Sequence, residues 1–330
     1  MKTLIFTCGD INGIGPEVSI KAINKLFNPQ KRKIVFLCPA NVFDKTTSAA
    51  NPKFPFKYFK RENLDSLSSS YVSIIDLGFA KLDFGKSTKA SGKVSAQAIE
   101  LSYHLASVSE LSAVVTSPAS KTSFESAGID FPGQTEYYAQ LSGSKRFMML
   151  FLSRKLICGL ATIHISHKSV SEKLSKELLK EKFSLFLHSL EIDLNKLKPK
   201  LAVLGLNPHA GEEGRIGKEE KDIILPAIKE TKNTNITGPY VPDAFFGTKQ
   251  FRDFDAVLGM YHDQVLIPFK MLNFERGVNY SAGLKIVRTS PDHGTAYDIS
   301  GLGIAKPTSI IEAALWAEKI ITNRSKYNAS

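Results

Sequence analysis

The sequence predicts an α/β protein. Short apolar runs rich in Val, Ile and Leu recur along the chain, and segments of helical period lie between them. Several runs have no polar alternation, as strands covered on both faces require. Residues 3–8, 33–38, 72–76, 113–116, 147–151, 157–164, 201–206 and 256–260 are read as strands. Residues 94–109, 170–190 and 219–231 carry helical spacing. A further helix over 309–321 is opened by Pro307, Thr308 and Ser309. The stretch 46–67, with Asn51, Pro52 and Pro55 and a serine-rich end at 66–70, reads as an exposed connection. No internal repeat or low-complexity segment is visible.

A length of 330 residues suits about two domains. Lys and Arg number 43 against 32 Asp and Glu, a net charge of +11, which would suit an anionic partner. The bases are interspersed with acids, as around Glu172, Glu177 and Glu181, and form no basic helix or aromatic-basic platform. They read as a surface excess, and nucleic-acid binding is not expected. No apolar run approaches the roughly 18 residues that cross a bilayer; the best, 147–152, is stopped by Ser153, Arg154 and Lys155. The first strand starts almost at Met1, so no signal peptide is expected. Cys8, Cys38 and Cys158 are sparse, odd in number and set beside β-type runs. They read as buried thiols in a reducing compartment, so a cytoplasmic location is expected.

The turn from Gly9 to Glu17 follows a strand and precedes a helix, with Pro16 suited to the first helical turn, so its backbone N–H groups can face a ligand. It is not a dinucleotide fingerprint, because Val18 stands at the third glycine position. Gly85-Lys86-Ser87 resembles the end of a phosphate-binding loop, but Ala80 stands where the earlier glycine is required, and a nucleotide triphosphatase is rejected. Of seven histidines, His104 and His188 lie in helical segments and read as surface groups. His164, His209 and His262 each follow an apolar strand at the carboxyl end where ligands bind α/β sheets. Three imidazoles there could hold a divalent ion, although their sequence spacing carries no ligand signature of its own. The densest polar region, 260–307, adds Asp263, Lys270, Asn279, Arg288, Gly294 and Thr295. Lys270 and Arg288 could neutralise a phosphate or carboxylate there.

Taken together, Gly9-Asp10 through Glu17, Thr116-Ser117-Pro118 with Lys121, Gly133-Gln134-Thr135-Glu136, Asn207 through Glu212, Gly238-Pro239 with Asp243 and Phe246, Tyr261-His262-Asp263-Gln264, and Arg288-Thr289-Ser290 with Asp292 through Ala296 resemble the 4-hydroxythreonine-4-phosphate dehydrogenase family of pyridoxal phosphate biosynthesis. The resemblance implies an isocitrate/isopropylmalate-dehydrogenase-like fold with two α/β lobes and a cleft between them. The lobes are expected at 1–125 plus 285–330, on the NAD side, and at 126–284, with the metal, substrate and dimer contacts. It also implies a homodimer with shared active sites. His164, His209 and His262 would be the metal ligands, His164 coming from the opposite subunit. Thr135, Lys270, Asn279 and Arg288 would bind substrate, Lys270 and Asp243 would be catalytic, and Gly294 and Thr295 would contact the cofactor.

The implied reaction is NAD-dependent, or NADP-dependent, oxidation of 4-phosphooxy-L-threonine at C3. The resulting β-keto acid loses carbon dioxide to give 3-amino-2-oxopropyl phosphate. One divalent ion, Zn, Mg or Co, would serve both steps. The family usually has His where this chain has Gln134, and an amide does not titrate near neutral pH. That departure keeps open a related enzyme for threonate or erythronate 4-phosphate. A non-catalytic metal-binding homologue is the alternative from a different class.

Overall fold

All eight apolar runs read as strands form strands in the computed structural model, which describes residues 1–62, 64 and 67–328. In chain order the strands are β1 (Lys2–Thr7), β2 (Arg32–Leu37), β3 (Phe56–Phe59), β4 (Val72–Ile75), β5 (Ser112–Thr116), β6 (Met148–Leu152), β7 (Ile157–Leu160), β8 (Leu201–Leu204), β9 (Ile236–Tyr240), β10 (Ala256–Gly259), β11 (Val278–Ala282) and β12 (Val287–Pro291). The helices are α1 (Gly15–Leu26), α2 (Ala40–Ala50), α3 (Lys89–Ser107), α4 (Lys121–Ser126), α5 (Gln134–Ser142), α6 (His167–Lys173), α7 (Lys176–His188), α8 (Leu225–Thr231), α9 (Pro242–Gly247), α10 (His262–Asn273) and α11 (Thr308–Asn328).

The chain divides into two compact units, Met1–Lys145 with Leu284–Ser330, and Arg146–Gly283. The first holds a parallel sheet in the order β3-β4-β2-β1-β5-β12. β4 and β5 and the last four residues of β1 and β2 are buried, which explains the apolar runs there. The strand order reverses between β1 and β5, and the carboxyl ends at such a reversal form a ligand crevice. The second unit is mixed, in the order β11-β6-β7-β10-β8-β9, with β6 antiparallel to both neighbours. β7, β10, β8 and β9 run parallel. Its core packs Phe151, Cys158, Leu204, Phe245, Val257, Val265 and Phe269 together.

The stretch 46–67 is not merely a connection. Its first residues complete α2, which ends at Asn51 in a left-handed conformation, and Phe56–Phe59 is an edge strand. Alternating aromatic residues hold that strand: Phe56 and Tyr58 set their rings 5.0 and 6.0 Å from Phe43. Ser66, part of the serine-rich end, lies outside the described residues. The segment 170–190 is two helices, because Leu174 is extended and the Ser175 hydroxyl accepts the Leu178 N–H to cap α7. Residues 126–145, expected in the second lobe, group with the first unit, where the Tyr138 hydroxyl of α5 lies 2.6 Å from Ser102 Oγ of α3. Among the described residues no helix is long and apolar enough to cross a membrane, and the three cysteines are buried without a disulfide.

Candidate active site

In the first unit, polar groups collect at the carboxyl ends of β1, β5 and β12. Arg288, on β12, is 3 % exposed; its Nη2 donates to Thr116 Oγ1 at 2.6 Å and its Nη1 to Thr135 Oγ1 at 3.2 Å. Its guanidinium carbon lies 5.7 Å from the Tyr138 ring centroid. Burial lowers the Arg288 pKa to about 10, so it remains a cation at neutral pH. Thr135 is buried in the first turn of α5, and beside it Gln134 Nε2 donates to the Ser117 carbonyl at 3.0 Å. Two sequence-predicted substrate residues, Thr135 and Arg288, are thus hydrogen-bonded to one another.

The first glycine-rich turn meets the predicted cofactor segment at Thr295. Ile14 N donates to Thr295 O at 2.9 Å, and a Cβ on Gly13 would lie 2.7 Å from the same oxygen, so only glycine allows this approach. Asp10, fully buried, holds the turn. Its Oδ1 accepts the Asn12 N–H at 3.0 Å, and its Oδ2 accepts hydroxyls from Ser91, Ser123 and Tyr297 at 2.9, 2.5 and 2.9 Å. The rejected phosphate-loop segment has a bracing role, since Asn12 Nδ2 donates to Lys86 O and to Thr88 Oγ1.

In the second unit, β7, β10 and β8 lie side by side, so their carboxyl ends deliver His164, His262 and His209 to one sheet edge. The His164 and His262 rings are 6.5 Å apart and share a cavity of about 270 Å³ with Thr162, His167, Tyr261 and Asp263. His262 Nδ1 is 2.7 Å from Asp263 Oδ1, which leaves Nε2 as the nitrogen able to bind a metal. His164 and His209 both have positive φ, 51° and 52°. Non-glycine residues reach that region at a cost that functional sites tend to carry. The donor set, imidazole nitrogens with a carboxylate behind one of them, fits a divalent ion. Among the described residues, however, no three His, Cys, Asp or Glu side chains are close enough to hold one. The resemblance puts His164 on the opposite subunit; within one chain it already stands beside His262, so that division does not follow from the chain's own geometry.

Asp243, exposed in the first turn of α9, lines a neighbouring open cavity of about 450 Å³ with His167, Tyr261, Asp263 and Met271. Lys270 is half-buried on α10. Asn279 sits on β11 opposite Phe151, with its Oδ1 buried and without a hydrogen-bond partner among the described residues.

A family model described as pyridoxal phosphate biosynthetic protein PdxA matches residues 30–317. The chain belongs to the PdxA family. A relative from Sulfurihydrogenibium sp. named 4-hydroxythreonine-4-phosphate dehydrogenase is 38% identical over 317 residues, covering 95% of this chain and 96% of its own. One of the same name from Aquifex aeolicus is 38% identical over 324 residues, covering 97% and 98%. The crystal structure of 4-hydroxythreonine-4-phosphate dehydrogenase from Klebsiella pneumoniae superposes with a TM-score of 0.84 at 32% identity, covering 97% of this chain and 98% of that one.

In this PdxA-family chain the motifs contain Asp10 and Gln264 without giving either a role, and sequence reasoning singled out neither His167 nor Glu220. His167 was one of seven histidines with no strand end to mark it, yet its ring lies 4.6 Å from that of Tyr261 and lines both second-unit cavities. Glu220 and Gln264 are buried polar residues within helical or turn segments, a state that a single sequence does not display.

Proposed function

We propose that this chain is a 4-hydroxythreonine-4-phosphate dehydrogenase acting in pyridoxal phosphate biosynthesis. It oxidises 4-phosphooxy-L-threonine at C3 with NAD or NADP, and the β-keto acid decarboxylates to 3-amino-2-oxopropyl phosphate. The observation that carries this reading is the buried Arg288–Thr135 hydrogen bond, which joins two residues 153 positions apart that were both assigned to substrate on motif resemblance alone. When bound, a divalent ion at the histidines supplies Lewis-acid polarisation, and the dinucleotide accepts the hydride.

The chain's own groups do the rest. Arg288 and Thr135 hold an anionic substrate group through a charged fork and a hydroxyl, with Thr116 fixing the other arm of the guanidinium. Lys270 and Asn279, a cation and an amide, are also assigned to substrate binding. Asp263 fixes the orientation of His262. Asp243, exposed and acidic, is assigned to proton transfer. Gln134 orients without titrating, and Gly13 with Gly294 and Thr295 receives the cofactor. The active form is a homodimer, which the apolar stripe Ile267, Met271 and Phe274 on and just after α10 supports: these residues are 59 %, 82 % and 80 % exposed at helical spacing. A cytoplasmic location suits its three buried thiols.

The test is NADH formation from 4-phosphooxy-L-threonine, threonate 4-phosphate and erythronate 4-phosphate, each with and without a chelator. We expect turnover of the first substrate, abolished by chelation. Preference for either sugar-acid phosphate would favour the second reading, which Gln134 in place of the family histidine motivates. No turnover of any of them would leave a non-catalytic homologue.

A further inference from the structure

The turn that carries His209 is wound the wrong way. His209, Ala210, Gly211, Glu212 and Glu213 have φ values of 52°, 50°, 79°, 44° and 58°, five consecutive residues in the left-handed region, four of them not glycine. L-residues avoid such a run because Cβ crowds the following carbonyl, and single residues rather than runs are the rule. Something must over-determine it.

Glu220 does so. It is 5 % exposed, its Oε1 accepts the backbone N–H groups of Leu206 and Asn207, both at 2.7 Å, and its Oε2 accepts Asn207 Nδ2 at 2.9 Å. The same carboxylate lies against the turn itself: a Cβ on Gly211 would sit 2.6 Å from Glu220 Oε2, so Gly211 is fixed by close approach as well as by φ. Gln264, 8 % exposed, closes the other side, its Oε1 accepting the Met260 N–H at 2.7 Å and its Nε2 donating to Gly205 O at 2.6 Å. The chain segments leaving β8 and β10 are thereby tied together, and His209 and His262 each stand two residues beyond a clamped backbone N–H, those of Asn207 and Met260.

We propose that Glu220 is a positioning residue for the reaction: its buried carboxylate locks the left-handed turn and so aims the His209 imidazole at the strand-edge site. Both oxygens are needed, because the two backbone donors and the Asn207 amide approach different ones. Glu220→Gln keeps the volume but turns one acceptor into a donor facing other donors. The inference rests on the reading of His209 as a metal ligand, and the test separates the two.

Full-length protein and the variants Glu220→Gln, Glu220→Asp and His209→Ala are titrated with Co²⁺ alone, following the ligand-field absorption spectrum and affinity, and amide exchange is measured over 204–216. The expected result is a weakening of Co²⁺ binding by about 10- to 100-fold in Glu220→Gln, the usual range for a lost ligand-orienting partner, with the spectrum of His209→Ala reproduced. Glu220→Asp should show partial recovery, and exchange should accelerate at Leu206 and Asn207 but not in β8. Parent-like Co²⁺ affinity and spectrum in a folded Glu220→Gln, where His209→Ala has lost both, would overturn the proposal. If His209→Ala binds Co²⁺ as the parent does, the ligand reading fails instead. Amide exchange then decides for Glu220, unchanged protection at Leu206 and Asn207 counting against it and faster exchange supporting its hold on the turn.

Discussion

Arg288→Lys tests the substrate assignment most directly. The guanidinium uses two nitrogens on two hydroxyls, Thr116 at 2.6 Å and Thr135 at 3.2 Å, from the two arms of its fork. A lysine ammonium is a single donor centre on a different stem. It can keep the shorter contact to Thr116 but not both, and it loses the fork that a phosphate or carboxylate would accept. One hydrogen bond from a charged donor is worth about 1.5 to 3 kcal/mol, so kcat/KM for 4-phosphooxy-L-threonine should fall by about 10- to 150-fold. The effect should lie mainly in KM, since the anchored group is remote from the reacting carbon. The fold should survive, because one buried cation replaces another and the stacking on Tyr138 contributes only about 0.5 to 2 kcal/mol. Steady-state NAD reduction with circular dichroism as control measures it. A folded variant whose kcat/KM stays within about twofold of the parent would show that Arg288 braces the sheet edge and does not touch substrate.

Arg288 has its pKa lowered to about 10 by burial, so the folded protein surrenders this proton before the unfolded chain does. Its burial therefore costs stability at neutral pH, and that cost is relieved as pH rises from about 10 toward the ordinary guanidinium range, while the KM for an anionic substrate should rise above pH 10, as a KM–pH profile would reveal. His164→Ala, His209→Ala and His262→Ala should each lose metal-dependent turnover while remaining folded, and full activity of any one under metal-limited conditions would remove it from the ligand set. Met271→Glu, which sets a charge in the exposed stripe of α10, should halve the mass seen by sedimentation and lower activity; an unchanged mass would place the dimer contact elsewhere. Gln134→His should add an ionisation near neutral pH to the kcat/KM profile, and an unaltered profile would put the side chain out of reach of substrate.

How far the sequence was legible depended on burial. Strands covered on both faces, such as β1 and β5, show unbroken apolar runs and could be read directly. β9, β11 and β12 could not, because they interleave polar residues: Thr237 with Gly238 and Pro239, Asn279 with Ser281, and Arg288 with Thr289 and Ser290. The residues that hid two of these strands, Asn279 and Arg288, are the ones the family motifs assign to substrate. Under the proposed substrate roles, function overrides the pattern that betrays a strand. The histidines were legible in the opposite sense, since each terminates an apolar run. That β7, β10 and β8 are neighbours, and that His209 lies in a left-handed turn, depends on strand order and on buried partners far along the chain, which one sequence does not encode locally.

The two units solve the same problem with the same device. Each must hold an irregular backbone segment at the carboxyl ends of its strands, and each uses a buried carboxylate that gathers uncharged donors: Asp10 takes one backbone N–H and three hydroxyls, and Glu220 takes two backbone N–H groups and an amide. A carboxylate so enclosed is shielded from mobile ions, whereas the anion capture proposed for Arg288 and for Lys270 is a charge interaction that salt competes with as substrate approaches. The framework and the binding step should therefore separate under ionic strength. Raising salt should increase KM for the phosphorylated substrate while leaving amide-exchange protection at Asn12, Leu206 and Asn207 unchanged. Loss of protection in parallel with KM would mean that the turns are held by exposed charge and not by these enclosed carboxylates.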